Sequence, residues 1–260
     1  MKNFLRNLLL FFSPLLKRKN FLLNNGLAKG MYINGVMGLM AKFHGIDIGE
    51  EFIRKIPIAG KTVYDIGAHI GVYSLFFSKA VGDNGIVIAF EPNLDNYTAL
   101  LKNLEINNIS NVIAQKIALG SGIGESKFFV PSSDTKRGSL NKEFMPKGCN
   151  LSILSVPVDS IDNLIKRGLQ APGFIKIDVE GGEFDVLKGA ELTLEKYKPN
   201  LLVEIHGLDK KNWIDNARKI FSFLEQKNYR IFGVTSLKYL NSNASDNEII
   251  ECGPAYCSYE

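Results

Sequence analysis

From Lys61 onward, short β-branched and aliphatic runs alternate with stretches of helical period. Runs at 62–66, 86–91, 112–118, 174–179, 201–206 and 230–234 predict strands, and helical periods at 72–80, 94–107, 160–168, 183–195 and 211–227 lie between them. Such alternation predicts an α/β domain with a mostly parallel sheet and helices on both faces. The tail at 255–259 can add a last strand, and antiparallel edge partners are common in sheets of this kind.

Two regions interrupt the rhythm. Residues 1–60 read as a helical and irregular N-terminal appendage to a 61–260 domain, and 128–158 reads as an inserted hairpin carrying a long loop. That loop, 131–150, is rich in Ser, Lys, Gly and Pro and includes Gly138-Ser139-Leu140. Loops of this length are usually functional or disordered, so a lid over a bound acceptor and a surface insertion are both open readings.

Composition narrows the function classes. The 260 residues carry a formal charge of +4, but Lys2, Arg6, Lys17, Arg18, Lys19, Lys29 and Lys42 all precede the first acid, Asp47. Without those seven cations the chain has 24 basic against 27 acidic residues. Phosphate neutralisation drives nucleic-acid affinity, so no nucleic-acid partner is expected. Three cysteines, Cys149, Cys252 and Cys257, have no zinc-type spacing and leave one unpaired, which favours a reducing, cytoplasmic compartment. The apolar stretch 8–16 contains Ser13 and Pro14 and falls well short of the roughly 20 residues that span a bilayer. The Phe, Leu and Lys/Arg pattern of residues 1–30 can instead rest peripherally on an anionic membrane, pack on the catalytic domain, or meet a second copy.

The first strand ends in Asp65 and is followed by Gly67, His69 and Gly71 before a helix begins. Open α/β sheets bind ligands at such strand-to-helix turns. The G-x-x-x-G spacing differs from the G-x-G-x-x-G that a dinucleotide pyrophosphate requires, and the acid before it suits a ligand with a cationic amino acid end. Glu91, at the end of the second strand, is placed to bind both hydroxyls of a ribose. Pro92 stops that strand, and Asn93 can cap the next helix while bordering the same ligand. Ala118, at the third strand end, leaves room for backbone amides to approach a base edge.

A second constellation lies at Ile175-Lys176-Ile177-Asp178-Val179-Glu180-Gly181-Gly182-Glu183. Lys176, Asp178 and Glu180 alternate, so an extended strand would put them on one side. Charges there are costly unless paired, which leaves a structural ion-pair network as the plainer alternative. Glu183 opens a helix, where a carboxylate suits the N-terminal dipole. The next strand ends with Glu204 and His206 two residues apart.

Residues 62–207 resemble the FkbM family of methyltransferases through DIGAHIGVYS, Phe90-Glu91-Pro92, VDSID, IKIDVEGGE and VEIH, in matching order. The resemblance implies a class I methyltransferase (Rossmann-like) fold with a seven-stranded sheet in the order 3-2-1-4-5-7-6. It also implies S-adenosyl-L-methionine as cofactor and O-methylation of sugars, glycans or natural products. The strands ending at Asp178 and Glu204 would then be neighbours opening onto the methyl donor.

Methyl transfer to an alcohol needs alignment behind the sulfonium methyl and loss of the hydroxyl proton. Asp178 is the first candidate base, with Glu204 orienting and His206 as the alternative proton acceptor. His69 reads as cofactor-adjacent. No metal is assigned, although Asp178, Glu204 and His206 are also possible ligands for a divalent cation. Rival readings are a non-catalytic cofactor-binding module and a methyltransferase acting on RNA or another acceptor. The second lacks both a basic face and an Asn-Pro-Pro-Tyr type motif.

Overall fold

The computed structural model describes residues 16, 18–42, 48–132, 138–145 and 148–259. Most of the basic apolar stretch read for membrane contact, residues 1–15 and 17, lies outside them, as do loop residues 133–137 and 146–147. No helix among the described residues is long and apolar enough to cross a membrane.

The chain opens with a short antiparallel ribbon, β1 (Asn20–Leu22) and β2 (Tyr32–Asn34), followed by α1 (Gly35–Lys42) and α2 (Ile48–Ile53). The main sheet comprises β3 (Thr62–Ile66), β4 (Ile86–Phe90), β5 (Val112–Gln115), β9 (Phe174–Ile177), β10 (Asn200–Val203), β11 (Tyr229–Gly233), β12 (Lys238–Leu240) and β13 (Ala255–Tyr259). A smaller sheet contains β6 (Ala118–Leu119), β7 (Gly124–Pro131) and β8 (Leu151–Asp159). The helices after β3 are α3 (Val72–Val81), α4 (Leu94–Ile106), α5 (Ile161–Lys166), α6 (Glu183–Lys188), α7 (Glu191–Tyr197), α8 (Lys210–Glu225) and α9 (Asp246–Glu251).

Across the main sheet the order is β12-β11-β13-β10-β9-β3-β4-β5. The strands are therefore eight rather than the expected seven, because β12 pairs antiparallel on the outer edge of β11. The tail strand β13 lies inside the sheet, antiparallel to both β10 and β11. Strand direction from β3 runs to β4 on one side and β9 on the other, which opens a crevice at the carboxyl ends of these three strands.

Apart from Asp65 and Lys176, each central strand is largely apolar on both faces, as burial beneath two helical layers demands. Tyr64, Ile66, Ile88, Phe90, Ile175 and Ile177 pack with Val186, Leu194, Phe221 and Leu224 on one face. On the other, Val63, Val87 and Phe174 pack with Phe76, Phe77 and Val81 of α3. Leu27, Ile53, Ile56 and Ile58 join that layer, and Met31 and Ile33 pack with Leu75, Leu100 and Leu104. The first 60 residues thus supply core side chains and a ribbon that has no periodic signature in the sequence.

Several boundaries differ from expectation. The third strand stops at Gln115, and Ala118 begins β6, which pairs in parallel with β8 in the smaller sheet. Strands β9 and β10 end at Ile177 and Val203, so Asp178, Glu180, Glu204 and His206 occupy the loops beyond. The predicted helix 183–195 is two helices divided at Gly189, where a Cβ would stand 2.0 Å from the Gly120 carbonyl oxygen. The inserted hairpin begins earlier than 128, since β7 pairs with β8 from Gly124.

Candidate active site

The turn after β3 forms one wall of the crevice. Gly67 and Ala68 each donate a backbone N–H to Phe90 O at 3.0 Å, tying the ends of β3 and β4 together. Gly67 has φ +76°, and a Cβ on it would lie 1.8 Å from the Asp178 carbonyl oxygen. Only glycine satisfies both the backbone conformation and the close approach of the β9 end. His69 also takes positive φ, 53°, and its amide donates to Glu91 Oε2 at 2.8 Å.

Glu91 is 5% exposed, and its Oε1 accepts the Asn93 amide at 2.9 Å. Burial raises its pKa, while the amides of Asn93 and His69 pull it back down. Asn93 caps α4, with its Oδ1 accepting from Asp95 N and Asn96 N. It stands behind the cavity, and Asn96 of the next turn lines it instead.

Buried charges join this wall to the next. Asp65 and Lys176 are register partners on β3 and β9, and both are buried. Lys176 Nζ lies 3.5 Å from Asp65 Oδ1 and 3.1 Å from Asp178 Oδ2, and donates to Gly67 O at 3.2 Å. Ser74 Oγ donates to Asp65 Oδ2 at 2.6 Å. The Lys176 ammonium also sits 4.8 Å from the centre of the Tyr73 ring. Although burial works against its charge, Asp178 and Asp65 raise the Lys176 pKa. Burial alone would raise the Asp178 pKa, but Lys176 and His206 bring it below the ordinary value.

The end of β10 supplies the remaining acids and the imidazole. Glu204 N donates to Ile177 O at 2.9 Å, which places Glu204 beside Asp178. His206 Nδ1 lies 2.8 Å from Oε1 of the fully buried Glu183, so the proton on Nδ1 points at a carboxylate. Its Nε2 faces Asp178 Oδ1 at 3.8 Å and Glu180 Oε2 at 3.9 Å. Desolvation opposes the His206 charge, but Glu183, Asp178 and Glu180 raise its pKa to about 9. Desolvation and the adjacent Asp178 raise the Glu204 pKa.

These walls enclose a cavity of about 560 Å³. Of the cofactor residues expected from sequence, Gly67, His69, Glu91 and Ala118 line it. Asp65, Gly71 and Asn93 stand behind the lining: Asp65 as a buried counter-ion, Gly71 as a close-packing point where a Cβ would meet Leu100 Cδ1 at 2.4 Å, and Asn93 as a cap. Of Asp178, Glu204 and His206, Asp178 lines the cavity, with the other two beside it. Glu180 leaves the strand alternation, because its φ of 55° turns the chain out of the extended conformation. Tyr73, Asn96, Lys142 and Lys176 line the cavity without having been singled out as site residues. Lys176 had a signal, a cation inside an apolar strand, whereas Lys142 sits in a loop with no period.

The small sheet roofs the site. Phe128, Gly138, Leu140, Asn141 and Lys142 line the cavity, and Ser139 pairs with Phe129 to hold the roof on β7. A Cβ on Gly181 would stand 2.1 Å from the Phe144 ring, so the roof also rests on the turn after Asp178. The glycine-walled crevice, with Glu91 and Asp178 in its lining, suits a ligand with a diol and a small cationic end.

A sequence model described as the Methyltransferase FkbM domain matches residues 65–231. The hexuronic acid methyltransferase AglP of Haloferax volcanii is 31% identical over 153 residues, covering 58% of this chain and 59% of that protein. The 31-O-demethyl-FK506 methyltransferase FkbM of Streptomyces tacrolimicus is 25% identical over 176 residues, covering 58% and 67%. The crystal structure of cofactor-bound Rv0187 from MTB shares the fold, with a TM-score of 0.50, 11% identity and coverage of 84% and 82%.

Proposed function

Because the chain belongs to the FkbM methyltransferase family, we propose that its cavity holds S-adenosyl-L-methionine and carries out methyl transfer to a hydroxyl of a sugar, glycan or related small molecule. The observation that carries this reading is the placement of Glu91 and Asp178 on opposite walls of one cavity, joined through Gly67 and Lys176. A glycan acceptor is favoured by the likeness to AglP, whose name specifies a hexuronic acid. The Lys142 side chain in the roof adds a cation suited to an acidic sugar.

The cofactor supplies an electrophilic methyl on a sulfonium. Glu91 would hold the ribose hydroxyls of the bound cofactor, and the glycine turn would let the backbone approach it without a side chain intervening. Asp65 acts at one remove, holding Lys176 so that Asp178 is fixed at the acceptor side. Asp178 accepts a hydrogen bond from the acceptor hydroxyl and takes its proton as the oxygen becomes positive. A carboxylate with a lowered pKa suffices, because an alcohol oxygen that is gaining a methyl group becomes strongly acidic. His206 stands outside the cavity lining with its Nδ1 held by Glu183, so Asp178 rather than His206 is the base. The roof of Phe128 and Leu140 excludes water from the transfer path.

Asp178→Asn separates binding from chemistry. Turnover should fall by about 10²- to 10⁴-fold, the usual worth of a positioned base, while the cofactor dissociation constant stays within a few-fold. Undiminished turnover removes Asp178 from the proton path.

A further inference from the structure

We propose that Asp178, Glu204 and His206 form a binding site for one divalent cation at the acceptor edge of the cavity. One donor atom from each lies within 4.8 Å of the other two. Three ligands spread at 90–120° around one cation with bonds of about 2.1 Å are about 3.0–3.6 Å apart. Closing the set from separations of up to 4.8 Å therefore requires side-chain movements of about 1 to 2 Å.

The imidazole is prepared for this role by a residue outside the set. Glu183 is fully buried, and its Oε1 accepts from both Gly181 N at 2.9 Å and the His206 Nδ1 proton at 2.8 Å. That contact directs Nε2 toward Asp178 and Glu180, beyond hydrogen-bond reach of either. A carboxylate behind a histidine is the usual support of a ligating imidazole. The second Glu183 oxygen, Oε2, is buried without a hydrogen-bond partner.

Charge and access agree with the geometry. Four carboxylates, Asp178, Glu180, Glu183 and Glu204, surround His206, with Lys176 as the neighbouring cation. Asp178 divides its carboxylate, with Oδ2 on Lys176 and Oδ1 facing the imidazole. Glu204 is exposed and gives an ion a route from solvent. Two carboxylates and one imidazole suit Mn²⁺ better than a thiolate-preferring ion. Three protein ligands leave positions open for acceptor oxygens, so the site favours an acceptor with two neighbouring oxygens, such as a vicinal diol or a sugar acid. The inference rests on the acceptor-side reading of this cluster and deepens it.

The test is calorimetric titration of the full chain with Mn²⁺ and, separately, with S-adenosyl-L-methionine. Wild type should bind one Mn²⁺, Glu204→Gln should weaken it at least tenfold, and Glu183→Gln should weaken it by about 10- to 100-fold by loosening the hold on the His206 ring. Glu204 is exposed, so its variant is expected to fold, and circular dichroism checks both proteins. The site is overturned by no binding up to about 1 mM, the weak end of functional sites, or by binding that Glu204→Gln leaves intact. Cofactor binding without Mn²⁺ binding removes the cation site alone. Mn²⁺ binding without cofactor binding supports the site and removes the methyl-transfer reading.

Discussion

Lys176→Met is the most informative structural perturbation. The side chain keeps its length and apolar stem but loses the ammonium that stands 3.5 Å from Asp65 and 3.1 Å from Asp178. Asp65 has no exposure, and its Oδ1 has no hydrogen-bond partner, so after the substitution Ser74 alone satisfies that carboxylate. Removing one partner of a buried ion pair costs about 3–5 kcal/mol, because a charge is left uncompensated. At about 2–4 °C per kcal/mol for a chain of this size, the melting midpoint should drop by roughly 6–20 °C. Differential scanning calorimetry measures this directly. Adding Asp65→Asn should restore a large part of the loss, since it removes the stranded charge. A drop under about 3 °C, or a double variant no better than Lys176→Met, would refute the claim that this ion pair joins the two walls.

Three further outcomes follow from the site. Gly67→Ala should reduce both stability and cofactor affinity, because its Cβ would meet the Asp178 carbonyl at 1.8 Å; calorimetry and cofactor titration check this, and unchanged values contradict the close-approach argument. Glu91→Gln should weaken S-adenosyl-L-methionine binding by about 1.5–3 kcal/mol, the worth of a hydrogen bond to a charged acceptor, or roughly 10- to 150-fold. The raised pKa of Glu91 means that its charge is lost on acidification before an ordinary carboxylate would be protonated, with the Lys176 charge opposing the shift. Wild-type cofactor affinity should therefore fall as pH drops through that raised value, and Glu91→Gln should flatten the profile. Phe144→Ala should raise the acceptor KM more than the cofactor dissociation constant, because it loosens the roof where it rests on Gly181; equal changes in both would count against a roof specific to the acceptor.

The parts legible in the sequence are those with a period or a conformational constraint. Alternating apolar runs marked β3, β4, β9 and β10, and the acids at or just beyond their ends announced Glu91, Asp178 and Glu204. Gly67 was readable because it stands with Gly71 in a tight turn between an apolar strand and a helix. What remained hidden depends on tertiary contact. At the helix break the Gly120 carbonyl stands where a Cβ on residue 189 would lie, and nothing in residues 183–195 encodes that neighbour. Glu183 read as a favourable helix opener, and its hold on His206 comes only from bringing the β9 and β10 ends together. Phe128, Lys142 and Phe144 belong to an irregular roof whose side-chain directions follow from the small sheet. Asp65 was read correctly as a buried acid, but the cation it faces is Lys176 of this chain.

The central claim is transfer of a methyl group from S-adenosyl-L-methionine to an oxygen. Its most direct measurement is incubation of the full chain with methyl-labelled cofactor and a panel of uronic acids, neutral sugars and glycans, followed by mass spectrometry of the products. The account predicts one added methyl on a hydroxyl oxygen of an acidic or diol-bearing sugar, lost in Asp178→Asn. Cofactor binding with no labelled product across the panel, or label found on nitrogen, would contradict it.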